Sequence, residues 1–266
     1  MSLFESISLS FTSISTGGFI ITDSLQGLQA TNLQLIILSL LMLAGSMSFI
    51  AHNDLLRRKF RSFLSSLEKN IFFIFLLLSI GLTFIVFTDA RMIFFELISA
   101  FTTTGYSITN ISVLPPLFIL LIMIGMIIGG SIASTAGGIK VSRIYSLLMM
   151  VPWMLKKLSS SKHAIIPLKI NKQFMEEKDL LVITVFVTMY FLILLIGTIV
   201  FLLLGYGLLD SSFQMTSALG TVGLQTIELM AVPVMGKVVL VIAMLLGRLE
   251  IFPVLILVRK LFKAFY

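Results

Sequence analysis

Two stretches decide the fold of this 266-residue chain: FELISAFTTTGY at residues 95–106 and FQMTSALGTVGL at residues 213–224. They align without a gap at an offset of 118, sharing Phe, Glu or Gln, Ser-Ala, an apolar residue and Thr-x-Gly. A third copy, FTSISTGGF, occupies residues 11–19. Each stretch is too short to cross a bilayer as a helix, which takes about 20 residues rising 1.5 Å apiece. Each is followed by a hydrophobic helix, so the repeating unit reads as helix, short pore helix, Thr-x-Gly, helix. Three units are predicted. Residues 1–69 hold a partial repeat, residues 70–178 a repeat whose inner helix is interrupted, and residues 179–266 the last repeat.

The surrounding sequence requires lipid. Hydrophobic residues make up 58% of the chain and charged ones 12%, against about 45–50% and about 25% in soluble domains. Apolar spans are predicted at 31–50, 70–87, 115–150 (too long for one crossing), 179–204 and 233–258. Of the 19 Lys and Arg residues, 14 lie in segments 52–69 and 153–179 and in the tail after 258, whereas the opposite loops carry only Arg91. By the positive-inside rule these basic segments and the C-terminus are cytoplasmic, in a multi-pass protein of the cell membrane. The net charge of +7 therefore reflects topology and implies no nucleic acid. The absence of cysteine excludes disulfides and thiolate metal sites. No zinc-protease, nucleophile-elbow or Walker pattern occurs, so the chain does not read as an enzyme and needs no cofactor. The opening residues, with Glu5 and no basic region, do not read as a signal peptide.

Short segments that enter the membrane without crossing it carry irregular backbone, which survives at that depth only when buried in protein or lining a water-filled path. Thr-x-Gly suits such a lining. Glycine reaches backbone angles that turn carbonyls toward an axis, and it leaves the lumen open. Rings of carbonyls replace the hydration shell of K⁺ in potassium filters. A short helix pointing its partially negative C-terminus at the cavity favours a cation. The candidate filter residues are Thr16, Gly17 and Gly18; Thr103, Thr104 and Gly105; and Thr221, Val222 and Gly223, with K⁺ held at their carbonyls. In the first copy either Gly17 or Gly18 can be the filter glycine.

Together with GGSIASTAGGIK at 129–140 and GRLEIFP at 247–253, these motifs resemble the Trk/Ktr/HKT superfamily of potassium transporters, in particular its bacterial and archaeal membrane subunits. The resemblance covers essentially the whole chain. It implies an all-α integral membrane fold, with helix–pore-loop–helix repeats around one potassium-channel-like pore. It also implies a homodimer and a cytosolic nucleotide-binding regulatory subunit. The family has four repeats and this sequence has three, so the first repeat is expected to be missing. A non-conducting truncated remnant or accessory membrane chain is the alternative function.

The glycine-rich block interrupts its helix, at a cost near 1 kcal/mol for each glycine. In the family the corresponding loop obstructs the pore and moves during gating. Gly129, Gly130, Ser134, Thr135, Gly137, Gly138 and Lys140 are therefore gate candidates. Arg248, expected well inside the bilayer, joins them, because a charge there must face protein or water. Its expected partners are carbonyls of the 129–138 loop, or Glu250 from another helix environment. Residues two apart do not face each other on a helix, so Glu250 is not expected to pair with Arg248 directly. Asp89, Glu96 and Asp210 are expected to flank the outer mouth as solvated charges.

Overall fold

The computed structural model describes residues 2–20, 30–64, 67–84, 89–161, 167–170 and 173–264. Lys162, His163 and Lys172 of the basic segment, and the end of the span predicted over 70–87, lie outside them.

The helices are α1 (Leu3–Ile14), α2 (Asn32–Ser46), α3 (Phe49–Leu56), α4 (Phe60–Leu64), α5 (Leu67–Phe84), α6 (Ala90–Phe101), α7 (Pro116–Ile128), α8 (Val141–Leu158), α9 (Glu177–Leu203), α10 (Leu208–Leu219), α11 (Val234–Arg248) and α12 (Ile251–Ala264). Between α8 and α9, Leu168–Ile170 pairs antiparallel with Gln173–Met175 in a two-stranded hairpin that the hydropathy pattern did not reveal.

Local chemistry sets the helix starts. Ser2 and Glu5 form a reciprocal cap on α1, and Thr31 and Gln34 form one on α2. Asp89 caps α6 by accepting the Arg91 and Met92 amides. Pro115 precedes α7 and Pro233 precedes α11, each after a short 3₁₀ turn. The starts of α7 and α11 thus repeat the same loop-then-proline grammar.

The packing places polar short helices inside and apolar long ones outside. Helix α10 packs between α9 and α11 and also meets α7, while α6 packs between α5 and α7 and meets α2. Ser99, Thr102, Ser211, Thr216 and Ser217 of α6, α10 and the turn after α6 are fully or nearly buried. Leu40, Leu77, Leu195 and Leu203 face outward from α2, α5 and α9. Water would reverse this arrangement, whereas a lipid surround satisfies it.

The spans differ from the predicted ones. Among the described residues, α9 alone is long and apolar enough to cross a bilayer unbroken. The segment predicted as one helix over 31–50 stops at Ser46, and α3 leaves at 106°. The segment predicted over 233–258 stops at Arg248, and α12 leaves at 109°. Helices α2, α7 and α11, of 15, 13 and 15 residues, therefore all break at a corresponding place. Hydropathy could not locate the breaks because the sequence is apolar on both sides of them. Tertiary partners take up the freed backbone groups: Ser131 N donates to Ser46 O (3.0 Å) and Phe49 N to Ala133 O (3.0 Å).

Candidate functional site

Each pore helix ends in the same turn. Beyond α1, the Gly17 amide donates to Thr12 O (2.8 Å) and the Thr16 amide to Ser13 O (3.1 Å). Beyond α6, Thr104 donates to Ser99 O (3.0 Å) and Thr103 to Ala100 O (3.1 Å). Beyond α10, Val222 donates to Ser217 O (2.9 Å) and Thr221 to Ala218 O (3.1 Å). This is the paired bonding of a Schellman helix end, which normally places glycine at the left-handed residue. Here that residue is threonine three times, at φ 49° (Thr16), 55° (Thr103) and 54° (Thr221). Positive φ at a β-branched residue is a genuine outlier, and such strain concentrates at functional sites.

Two residues on, Gly18, Gly105 and Gly223 also take positive φ, at 65°, 86° and 94°. Gly17 does not, so Gly18 is the conformational counterpart of the other two. The segments abut in sequence order. A β-carbon on Gly18 would lie 1.9 Å from Thr104 O, and one on Gly105 would lie 1.8 Å from Val222 O. Among the described residues, Gly223 has nothing within 4 Å of such a carbon. The three segments thus form part of a ring, closed from first to second and second to third, and open between third and first. Gly18, Gly105 and Gly223 line one cavity of about 490 Å³. The open flank is a second cavity of about 640 Å³, bordered by Gly17 and Phe19 on one side and Thr221, Val222 and Gly223 on the other.

The 129–140 loop lies against the threonine side of this arc and meets all three segments. Thr135 Oγ1 is 3.1 Å from Thr16 Oγ1. The Gly137 amide donates to Thr103 Oγ1 at 2.6 Å. A β-carbon on Gly137 would fall 2.1 Å from Gly220 O and 2.4 Å from Thr221 Oγ1. The loop is pinned at its ends: Ile139 N donates to Ile127 O (2.9 Å), Lys140 N to Ile128 O (3.0 Å) and Val141 N to Gly130 O (3.1 Å). Ser134 Oγ donates to Ser131 O (2.6 Å), and Lys140 Nζ donates to Ala136 O. Gly129, Gly138 and Lys140 all take positive φ.

Arg248 ends α11 and donates from Nη1 to Thr135 O at 3.2 Å. It is therefore at a helix terminus and not midway along a continuous span, as the sequence suggested. Its carbonyl partner belongs to the loop. Glu250, at φ 60° in the bend, accepts from Arg143 Nη2 at 3.0 Å on both oxygens. The Arg143 guanidinium also lies 4.1 Å from the centroid of the Phe186 ring. This pair joins α8 to the α11–α12 bend and was missed from sequence. The signal for it was one acidic and one basic residue, each stranded in apolar sequence. Thr135, Gly137, Lys140, Arg143, Arg248 and Glu250 border a third cavity of about 380 Å³.

Of the acidic residues expected to be solvated, Glu96 differs. Glu96 is fully buried behind the middle segment and is not a solvated charge. Asp89 is spent on capping α6, and Asp210 sits in the first turn of α10.

The family model for TrkH, described as a cation transport protein, matches residues 86–264. The chain belongs to this family. An uncharacterized cation transporter of Methanocaldococcus jannaschii is 29% identical, aligned over 98% of this chain and 55% of its own length. The Trk system potassium uptake protein TrkH of Halomonas elongata is 28% identical over 98% of this chain and 57% of its own. The crystal structure of the potassium transporter TrkH from Vibrio parahaemolyticus superposes with a TM-score of 0.86 at 25% identity, covering 97% of this chain and 58% of that one. This TrkH-family chain thus spans a little over half the length of the relatives it matches. The family consists of membrane transporters and not enzymes, and its pore-loop fold agrees with the helix order here.

Proposed function

We propose that this chain forms most of a K⁺ uptake pathway across the cytoplasmic membrane. Ions move down their electrochemical gradient and lose water to the carbonyls of Thr16, Gly17 and Gly18, of Thr103, Thr104 and Gly105, and of Thr221, Val222 and Gly223. The observation that carries this reading is the triplicate strained turn whose glycines share one cavity. Three pore-helix C-termini end at these turns, each adding roughly half a negative charge. Carbonyls that displace hydration water around a bare ion discriminate by number and field strength.

The loop with Gly129, Gly130, Ser134, Thr135, Gly137, Gly138 and Lys140 acts as the gate, and Arg248 holds it through the Thr135 carbonyl. The units 1–69, 70–178 and 179–266 act as successive repeats, with the basic segments and C-terminus inside. A fourth segment, from this polypeptide or another, closes the flank between Gly223 and Gly18. In the assembled transporter, two copies pair and a cytosolic nucleotide-binding subunit drives the loop.

The open flank also favours a second reading, a non-conducting accessory chain. Uptake of radiolabelled Rb⁺ in cells lacking other potassium uptake separates the two. Expression with a supplied complementary repeat restores uptake under the first reading, and Gly105→Ser then lowers the preference for K⁺ over Na⁺. No uptake in either form supports the accessory reading. Unchanged selectivity in the variant overturns the filter assignment.

A further inference from the structure

Glu96 is the feature that the pathway reading leaves unused. Its side chain is wholly buried, and one oxygen gathers four donors from the residues just after the middle filter glycine. Oε1 lies 2.8 Å from the Ile108 amide, 3.2 Å from the Thr109 amide, 2.9 Å from Ser107 Oγ and 3.2 Å from Thr109 Oγ1. Ser107 Oγ also lies 2.5 Å from Thr109 O, so its single proton serves one acceptor at a time. The Thr109 amide is shared with Ser107 Oγ at 3.2 Å, so Oε1 is the acceptor common to all four donors.

Between this knot and Gly105 stands Tyr106. It is fully buried, with its hydroxyl bonded to Thr12 Oγ1 and 3.3 Å from Leu9 O of α1. The middle segment is therefore held from behind at two successive points, one on its own pore helix α6 and one on α1.

The repeat supplies an internal control. At the same position of the last unit stands Gln214, also buried, whose Oε1 has no hydrogen-bond partner among the described residues. Thr226 Oγ1, in the loop after that filter, is unpartnered too. The fold thus accepts a neutral residue of the same shape. Glu96 meanwhile keeps its second oxygen, Oε2, buried without a hydrogen-bond partner among the described residues, a cost in desolvation. Packing does not require a carboxyl at this position, whereas the loop uses one, because each buried donor gathered on Oε1 is costly to leave without its acceptor.

We infer that Glu96 is a positioning residue for cation selectivity, acting by clamping residues 107–109 so that the Gly105 segment cannot relax around a smaller, more strongly hydrated ion. The selectivity part rests on the proposed K⁺ pathway; the clamp itself does not.

The experiment compares wild type, Glu96→Gln, Glu96→Ala and Ser107→Ala in the full chain with its complementary repeat. Amide hydrogen exchange at Ile108 and Thr109 is read on purified protein, and Rb⁺ and Na⁺ uptake are read at matched membrane abundance. In Glu96→Ala the two amides should exchange at least about tenfold faster, the loss expected when a buried amide is left without its acceptor, and the Rb⁺:Na⁺ uptake ratio should fall toward equality. Glu96→Gln keeps one acceptor oxygen and should lie between Glu96→Ala and wild type. Ser107→Ala removes one donor to Glu96 Oε1 and a second acceptor of the Thr109 amide but keeps the carboxyl, so exchange should quicken less than in Glu96→Ala. Exchange in Glu96→Ala as slow as in wild type overturns the clamp. Faster exchange with an unchanged uptake ratio overturns the selectivity role. Wild type that takes up neither ion overturns the pathway reading and with it the selectivity role, while the exchange measurement still decides the clamp. If Glu96→Ala does not reach the membrane, Glu96→Gln must show faster exchange and a lower ratio than wild type, and failure of either overturns the corresponding claim.

Discussion

Replacing Gly105 and Gly223 by alanine, one at a time, should have unequal costs. Both residues sit at strongly positive φ, 86° and 94°, so each alanine carries the strain of a left-handed backbone, about 1–3 kcal/mol. Of the two, only at Gly105 does the new methyl meet something among the described residues. Its β-carbon would lie 1.8 Å from Val222 O and 2.8 Å from Val222 C, against about 3.5–4.0 Å for comfortable contact. The neighbouring segment must move well over 1 Å, and the atom displaced is one of the carbonyls proposed to line the pathway. Overpacking of this kind adds about 1–3 kcal/mol. Gly105→Ala should therefore destabilise the purified chain by about 2–6 kcal/mol, and Gly223→Ala by the strain alone.

The assay is thermal unfolding of both variants in detergent, repeated in the presence of the complementary repeat. The second condition fills the open flank, so the penalty at Gly223 should rise toward that at Gly105. Equal destabilisation without the added repeat, or a Gly223 penalty indifferent to it, would refute the open-ring geometry.

Other perturbations bear on the loop. Thr103→Ala removes the acceptor of the Gly137 amide, 2.6 Å away; the unsatisfied donor should cost about 1–3 kcal/mol and raise basal Rb⁺ leak, and unchanged leak would count against contact between loop and filter as the closed state. Arg248→Gln breaks the tie to Thr135 O and should raise flux, whereas slower uptake would make the residue structural. Arg143→Glu and Glu250→Arg should each loosen the α8 attachment by up to about 1 kcal/mol, since the pair is partly solvated, and the double exchange should recover wild-type stability; loss that simply adds in the double variant would show no coupling.

Much of the candidate site was legible because it is written three times. Ser-Ala-x-x-Thr-x-Gly in two copies, with a looser third, marks a repeated backbone task, and a glycine block within an apolar run marks an interruption. The choice between Gly17 and Gly18 was not legible, since adjacent glycines are equivalent as letters and differ only in φ. The pairing of Arg143 with Glu250, 107 residues apart, was equally hidden. Glu96 was misread as a mouth charge because a carboxylate beside a loop is usually solvated, and only packing reveals the four donors that enclose it.

By itself the sequence determined that the chain lives in lipid, that short helices alternate with long ones, and that Thr-x-Gly recurs at their ends. Those features depend on composition and local spacing, which the one-dimensional order carries in full. Only the tertiary structure decided where α2 and α11 bend, how the arc of glycines is joined and where it stays open, and which threonine each part of the loop touches. These are settled by backbone groups of distant segments completing one another's hydrogen bonds, and a carbonyl has no letter in the sequence.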